Sequence, residues 1–319
     1  MSVGHCDRPL RMVELPKPET GPHEIRIAVS ACGVCHTELD EIEGRTPPPQ
    51  LPVVPGHEVV GRVDSAGREV RRFRAGDRVG VGWIHFADGS DSENLGPEFV
   101  ATGRDVNGGY AEFMVVHENY AYPIPDPFSD VEAAPLMCAG AIGYRALRLC
   151  NIADGDRLGL TGFGGSAHIV LQLVRHVMPN TQIFVFARDA SSRTFATKLG
   201  ADWVGSTDDR APEALDAIID TTPAWKPVVS ALGNLAPGGR LVVNAIRKED
   251  TDKSALLDMS YHEHLWMERE IKSVANITRR DIAEFLPLAA EVPIRPTIET
   301  YRLEDANEAL VSLKRGSVR

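Results

Sequence analysis

No stretch of this 319-residue chain approaches the roughly 18 uninterrupted apolar residues of a membrane helix, so no membrane partner is expected. The amino terminus, Met1-Ser2-Val3-Gly4-His5-Cys6, lacks a basic region followed by an apolar one, and no secretory signal is expected. Cations are in deficit. Thirty-four Lys and Arg stand against 45 Asp and Glu, a formal net charge of −11. That balance argues against nucleic acid as a partner, because such binding needs cations to neutralise phosphates. Cysteine is scarce and odd in number, at positions 6, 32, 35, 138 and 150. A disulfide framework would be denser and usually even, which makes a cytoplasmic setting the expectation. Internal repeats and low-complexity segments are missing too. What is present, 43% hydrophobic and 25% charged residues, is ordinary for a globular protein long enough for two cores.

Residues 1 to about 139 read as β-rich. Alternating runs at 24–29, 59–63, 78–81 and 111–116 are separated by Gly, Pro and Asp clusters, as in a barrel or sandwich. Proline clusters at 46–49 and 122–127 mark loops. From about residue 140 the pattern becomes α/β. Strands are expected at 156–161, 182–186, 217–220, 240–246 and 271–274, with Pro237-Gly238-Gly239 as the turn delivering the fourth. Their continuous apolar character fits a parallel sheet buried on both faces. Helices are expected at 167–177, with Ile169, Val170, Leu173, Val174 and Val177 on one face, and at 191–199. This is a doubly wound dinucleotide-binding pattern. The tail predicts helices at 281–290 and 303–313 around an extended 294–301.

The chemistry concentrates in Gly33-Val34-Cys35-His36-Thr37 and Gly56-His57-Glu58-Val59-Val60-Gly61, with a further soft ligand at Cys138. Two thiolates and a neutral imidazole, Cys35, Cys138 and His57, form the three-ligand set of a catalytic zinc site with one position open. Glu58, beside His57, is expected as a supporting group or transient ligand. Taken singly, each residue reads better as plain core; the set together favours the zinc. Cys32 and Cys35 also have the spacing of a redox pair, although they follow a strand instead of heading a thioredoxin-like unit.

Gly162-Phe163-Gly164-Gly165-Ser166-Ala167 lies between an expected strand and an expected helix, the context that a G-x-G-x-x-A needs. Gly162 permits the tight turn, and Gly164 and Gly165 let backbone approach a pyrophosphate. Ser166 and the small Ala167 open the helix, whose N-terminus receives the negative charge. After the second strand, the place where an NAD site carries an acid is Ala187, followed by Arg188, with Arg193 a turn later. This favours NADP over NAD. In the alternative, Arg188 and Arg193 are solvated and Asp189 reaches the ribose of NAD.

The motifs above, with Gly76-Asp77-Arg78-Val79, Gly108-Gly109-Tyr110-Ala111-Glu112, Cys138-Ala139-Gly140, His264-Leu265-Trp266 and Ser273-Val274-Ala275-Asn276, resemble zinc-dependent alcohol dehydrogenases of the medium-chain dehydrogenase/reductase superfamily, essentially end to end. The resemblance implies a GroES-like catalytic domain from residues 1–139 and 277–319, and a Rossmann domain from 140–276, with the active site in the cleft. It implies hydride transfer between an alcohol, aldehyde or ketone and NAD(P). Cys35, His57 and Cys138 would carry the zinc, Thr37 would pass on the hydroxyl proton, and His36 would lie near the pyrophosphate. A homo-oligomer, dimer or tetramer, is implied as well.

The departures are specific. The stretch 83–97, where many relatives hold a structural zinc on four cysteines, has none, so one zinc per chain is expected. Asp40 stands where a relay histidine is common, and Ile142 where a threonine is. Both ends look short beside the family, and missing edge strands would weaken the catalytic domain. Trp83, Phe86 and Ile142 are candidates for an apolar substrate pocket. Two alternatives stand beside the zinc enzyme: a zinc-independent quinone or enone reductase, and a nucleotide-binding relative without turnover.

Overall fold

The computed structural model describes residues 10–292 and 294–316; Cys6 and the terminal Ser317-Val318-Arg319 lie outside the described residues. The chain forms two compact units. One comprises residues up to Ala141 with Asn276–Glu291 and the chain from Arg295; the other comprises Ile142–Ala275 with Val292–Ile294.

The first unit runs β1 (Glu24–Cys32), α1 (His36–Ile42), β2 (Val59–Ala66), β3 (Arg78–Val81), β4 (Ile84–Phe86), β5 (Val100–Ala101), β6 (Phe113–His117), β7 (Ala121–Pro123) and α2 (Asp130–Ala133). Five strands form an antiparallel sheet in the order β6-β1-β2-β3-β7. Alternation drives it: Ile25, Ile27, Val59, Val79 and Val116 are wholly buried. A Cβ at Gly61 would sit 2.2 Å from the Ala28 carbonyl oxygen, so β1 and β2 approach this closely only with glycine there. Part of the 122–127 proline cluster, expected as loop, is strand. Pro123 pairs with Val79 on the edge strand β7, where the N–H it lacks is not needed. The run expected at 111–116 begins two residues later.

The cysteine-free stretch 83–97 is held by carboxylate chemistry. Buried Glu93 accepts from Arg279 through its backbone N (2.6 Å) and its Nε (2.9 Å).

Beginning with α3 (Ala139–Cys150), the chain continues as β8 (Arg157–Thr161), α4 (Gly165–Val177), β9 (Gln182–Phe186), α5 (Ala190–Lys198) and β10 (Trp203–Gly205). It then forms β11 (Leu215–Asp220), α6 (Lys226–Gly233), β12 (Leu235–Val243) and β13 (Glu270–Ser273). The six strands are parallel, in the order β10-β9-β8-β11-β12-β13. Strand order reverses between β8 and β11, which makes a switch point at their carboxyl ends. Ile169, Val170, Leu173 and Val174 bury the predicted face of α4. The chain ends with α7 (Arg279–Glu291) and α8 (Ala306–Lys314), and 294–301 between them joins no sheet.

Several expectations are corrected. Pro237-Gly238-Gly239 is not a turn ahead of a strand but a bulge within β12, since Leu235 already pairs with Leu215 before Arg240 pairs with Ala217. β12 stops at Val243, three residues early, and Asn244 N makes its last rung to Asp220 O at 2.7 Å. β13 is not buried on both faces: it is the sheet edge, and all four of its residues are exposed. Helix α3 was not foreseen, because Gly140 and Gly143 lower helix propensity. A Cβ on Gly140 would meet the Phe285 ring at 2.4 Å.

Candidate active site

The two strands that alternation builds deliver the ligands. β1 ends at Cys32, and Gly33 N donates to Glu58 O at 2.9 Å, tying the Cys35 turn to the His57-Glu58 segment that opens β2. A Cβ on Gly33 would lie 1.9 Å from Glu58 Oε2, so glycine there makes room for that carboxyl. Gly56, at φ +100°, leaves the space filled by the Tyr110 ring and Cys32 Sγ. Cys138 comes from the segment before α3. The ligand atoms of Cys35, His57, Glu58 and Cys138 all lie within 4.8 Å of one another, and His57 Nε2 is 3.2 Å from Cys138 Sγ. Cys35 Sγ and Thr37 Oγ1 lie 3.6 Å apart, which places that hydroxyl beside the cluster.

A residue that the motif reading passed over completes the geometry. Glu38, in the first turn of α1 and 1% exposed, places Oε1 2.6 Å from His57 Nδ1. Its Oε2 accepts from Cys35 N at 2.9 Å. One carboxylate therefore caps the helix that begins beside Cys35 and fixes the ring of His57 with Nε2 turned to the sulfurs. This is the carboxylate–histidine arrangement that supports metal ligands. The Trp83 indole meets the same imidazole in a T-shaped contact, with ring centroids 4.7 Å apart at 82°. Trp83 Nε1 donates to Asn276 Oδ1 at 3.1 Å.

The charges are mutually dependent. A hydrogen bond from Cys138, opposed by burial and helped by His57, holds the Cys35 thiol well below its usual range. The same hydrogen bond, with burial, pushes Cys138 up. Burial disfavours the His57 imidazolium, but Glu38 and the Cys35 thiolate outweigh it and raise the imidazole above its ordinary value. Burial, then the Cys35 thiolate, pushes Glu58 up to about 8. Two sulfurs, an imidazole and flanking carboxyls in a buried pocket make a donor set that fits a divalent cation of zinc's softness. The remaining candidates are placed as follows. His36 is exposed on α1, and Phe86 is 44% exposed with its ring 6.0 Å from that of Tyr120. Ile142 belongs to the second unit. Asp40 is buried and bound by Arg45 Nε at 2.6 Å.

In the second unit, Gly162 has φ +80°, and a Cβ there would meet Thr221 Oγ1 at 2.6 Å. Gly164 caps α4, and a Cβ on it would meet nothing within 4 Å, which leaves open space at the helix N-terminus. Ala167 is buried in the first turn of α4, with Gly165 exposed and Ser166 partly so. Arg188 is exposed after β9, while Arg193 NH1 donates to Ala187 O at 2.7 Å and Arg188 O at 2.9 Å. Asp189 is occupied as the N-cap of α5, accepting from Ser191 Oγ (2.6 Å), Ser192 N (2.7 Å) and Ser192 Oγ (2.8 Å). These bonds, that from Ser191 foremost, hold its carboxyl well below the usual range. A depressed carboxyl stabilises above its unfolded value, near 4, and loses that contribution as pH falls through its folded value. Asp189→Ala is thus expected to cost about 1 kcal/mol at pH 7 and less below about pH 4. Urea titrations at descending pH check this; a gap constant down to pH 3 contradicts it.

Residues 21–126 match the family of the alcohol dehydrogenase GroES-like domain. Over 97% of its length the chain is 41% identical to "Probable alcohol dehydrogenase AdhA" of Mycobacterium tuberculosis, of which it covers 91%. The chain belongs to the alcohol dehydrogenase family. An alcohol dehydrogenase of Geobacillus stearothermophilus is 33% identical over 97% of the chain and 93% of that protein. Among solved structures, cinnamyl alcohol dehydrogenase from Sorghum bicolor superposes with a TM-score of 0.85 at 26% identity, over all of this chain and 94% of that one. The fold is the GroES-like sheet plus Rossmann sheet of the medium-chain superfamily, and the protein is an NAD(P)-dependent alcohol dehydrogenase with small-molecule alcohols as substrates. Cys₂His is the zinc ligand set already typical of this class of enzyme. Among the described residues no helix is long and apolar enough to cross a membrane.

Proposed function

We propose that this dehydrogenase works with one zinc, held by Cys35, His57 and Cys138, and favours NADP over NAD. The observation that carries the first part is the convergence of those ligand atoms, with Glu58, within 4.8 Å. When bound, zinc supplies a Lewis acid for the oxygen of the alcohol or carbonyl, where charge develops during hydride transfer. The chain does the rest. Glu38 orients His57, Glu58 offers a further carboxyl beside the ligands, and Thr37 takes the substrate's hydroxyl proton and hands it outward. His36 serves the pyrophosphate. The Gly162–Ala167 turn receives the nucleotide, with residues 140–276 as its domain and residues 1–139 and 277–319 as the catalytic one. The working compartment is the cytoplasm.

Support for NADP comes from β9's end. Asp189 is spent on capping α5, whereas Arg188 stays exposed. Arg188→Ala is expected to raise KM for NADPH about tenfold, the loss of one charge-assisted hydrogen bond of about 1.5 kcal/mol. KM for NADH should move less than about twofold. Equal changes for both nucleotides would overturn the NADP preference.

The chain is further proposed to self-associate as a dimer or tetramer. β13 is an exposed sheet edge, and an isologous antiparallel pairing with a second copy would cover it. Light scattering should then return two or four times the chain mass; the mass of a single chain rules it out.

A further inference from the structure

At the carboxyl edge of the parallel sheet, each strand hands its last carbonyl to the residue that follows a neighbour. Gly162 N donates to Phe186 O (2.8 Å), Thr221 N to Thr161 O (2.8 Å) and Asn244 N to Asp220 O (2.7 Å). The turns after β8, β11 and β12 are thereby joined in one row around the switch point. Into this row reaches Lys248, from the segment after β12. Its side chain is 7% exposed and pairs with the wholly buried carboxylate of Asp220, and Nζ also donates to Thr222 O at 2.7 Å. Asp220 in turn accepts from Thr222 Oγ1 at 2.7 Å.

Neighbouring bonds run the same way. Glu249 N donates to Pro223 O at 2.7 Å, and Asp252 accepts from Trp225 N (2.9 Å) and Lys226 N (2.8 Å). The loop after β12 is thus stapled along the loop after β11. That second loop bears directly on the fingerprint turn, since Thr221 Oγ1 lies 2.6 Å from where a Cβ on Gly162 would stand. A buried ion pair is a poor source of net stability, because desolvating two charges cancels most of their attraction, and its best-attested use is to fix one arrangement over others. None of the nucleotide roles assigned above involves Lys248 or Asp220.

We infer that Lys248 and Asp220 are positioning residues for the nicotinamide nucleotide: their ion pair locks the loops after β11 and β12 beside the Gly162 turn, so that the switch-point crevice is preformed. The inference rests on the family's use of NAD(P), and nucleotide binding by the unaltered protein is measured first to separate the two. Removing one partner strands a buried charge, so the informative variant removes both. In Asp220→Asn with Lys248→Met, the melting temperature should stay near that of the parent, because the pair contributes little net stability. Kd for NADPH, read by nucleotide fluorescence, should rise about tenfold. KM for the nucleotide should rise with it, and kcat at saturating nucleotide should hold within about twofold. A folded double variant with unchanged Kd and KM overturns the inference.

A second measurement needs no variant. Amide exchange at Thr221, Asn244 and Glu249 in the nucleotide-free parent protein should already be slow, at least about a hundredfold below that of unprotected amides. Exchange at these three amides as fast as in an unprotected chain also overturns it.

Discussion

Cys35→Ser is expected to lower kcat/KM for aldehyde reduction by about three orders of magnitude while NADPH affinity stays within about twofold. The first figure follows from what zinc is asked to supply: a Lewis acid at the developing charge is worth several kcal/mol, and about 4 kcal/mol corresponds to about three powers of ten. Serine keeps the volume but not the thiolate, which is the ligand form and which the Cys138 and His57 contacts favour at Cys35. The second figure follows because serine at position 35 leaves the fingerprint turn, Arg188 and His36 unaltered. Steady-state kinetics and a nucleotide titration on the same preparation decide it. A kcat/KM within tenfold of the parent's would remove the zinc from the mechanism.

Glu38→Gln is expected to weaken zinc binding 10- to 100-fold, about the usual cost of losing the partner of a ligating histidine. Glutamine still offers an oxygen to Cys35 N, so the start of α1 is spared, and the loss is confined to the charge facing His57 Nδ1. Competition against a chelating dye at fixed pH reads the affinity directly. Unchanged affinity would reduce Glu38 to a helix cap. Glu38→Ala, which removes the cap as well, should show the same loss of affinity plus a lower melting temperature.

The contrast between Cys35 and Glu38 shows what could be read from residues alone. Cys35, His57 and Cys138 were legible because soft ligands are rare and stand in glycine frames that a metal-binding turn requires. Glu38 was not, because an acid one turn into a short helix looks like any capping residue, and its partner His57 is brought to it only by the pairing of β1 with β2. The parallel strands were legible where both faces are apolar, as in β9 and β11. β13 misled for the converse reason: Ile271 and Val274 suggested burial, but edge position is a property of strand order and not of the segment. Lys248 stands in no motif, and only the return of its loop to Asp220 takes it out of water.

The central claim is that turnover depends on a metal held by Cys35, His57 and Cys138. It is tested most directly by the initial rate of aldehyde reduction with NADPH, before and after a strong chelator, with metal content measured on the same samples. The account predicts a rate that falls to background as zinc leaves and returns on adding one equivalent of zinc per chain. A rate that persists in protein shown to be free of metal would contradict it, and would point to a reductase that uses this fold without zinc.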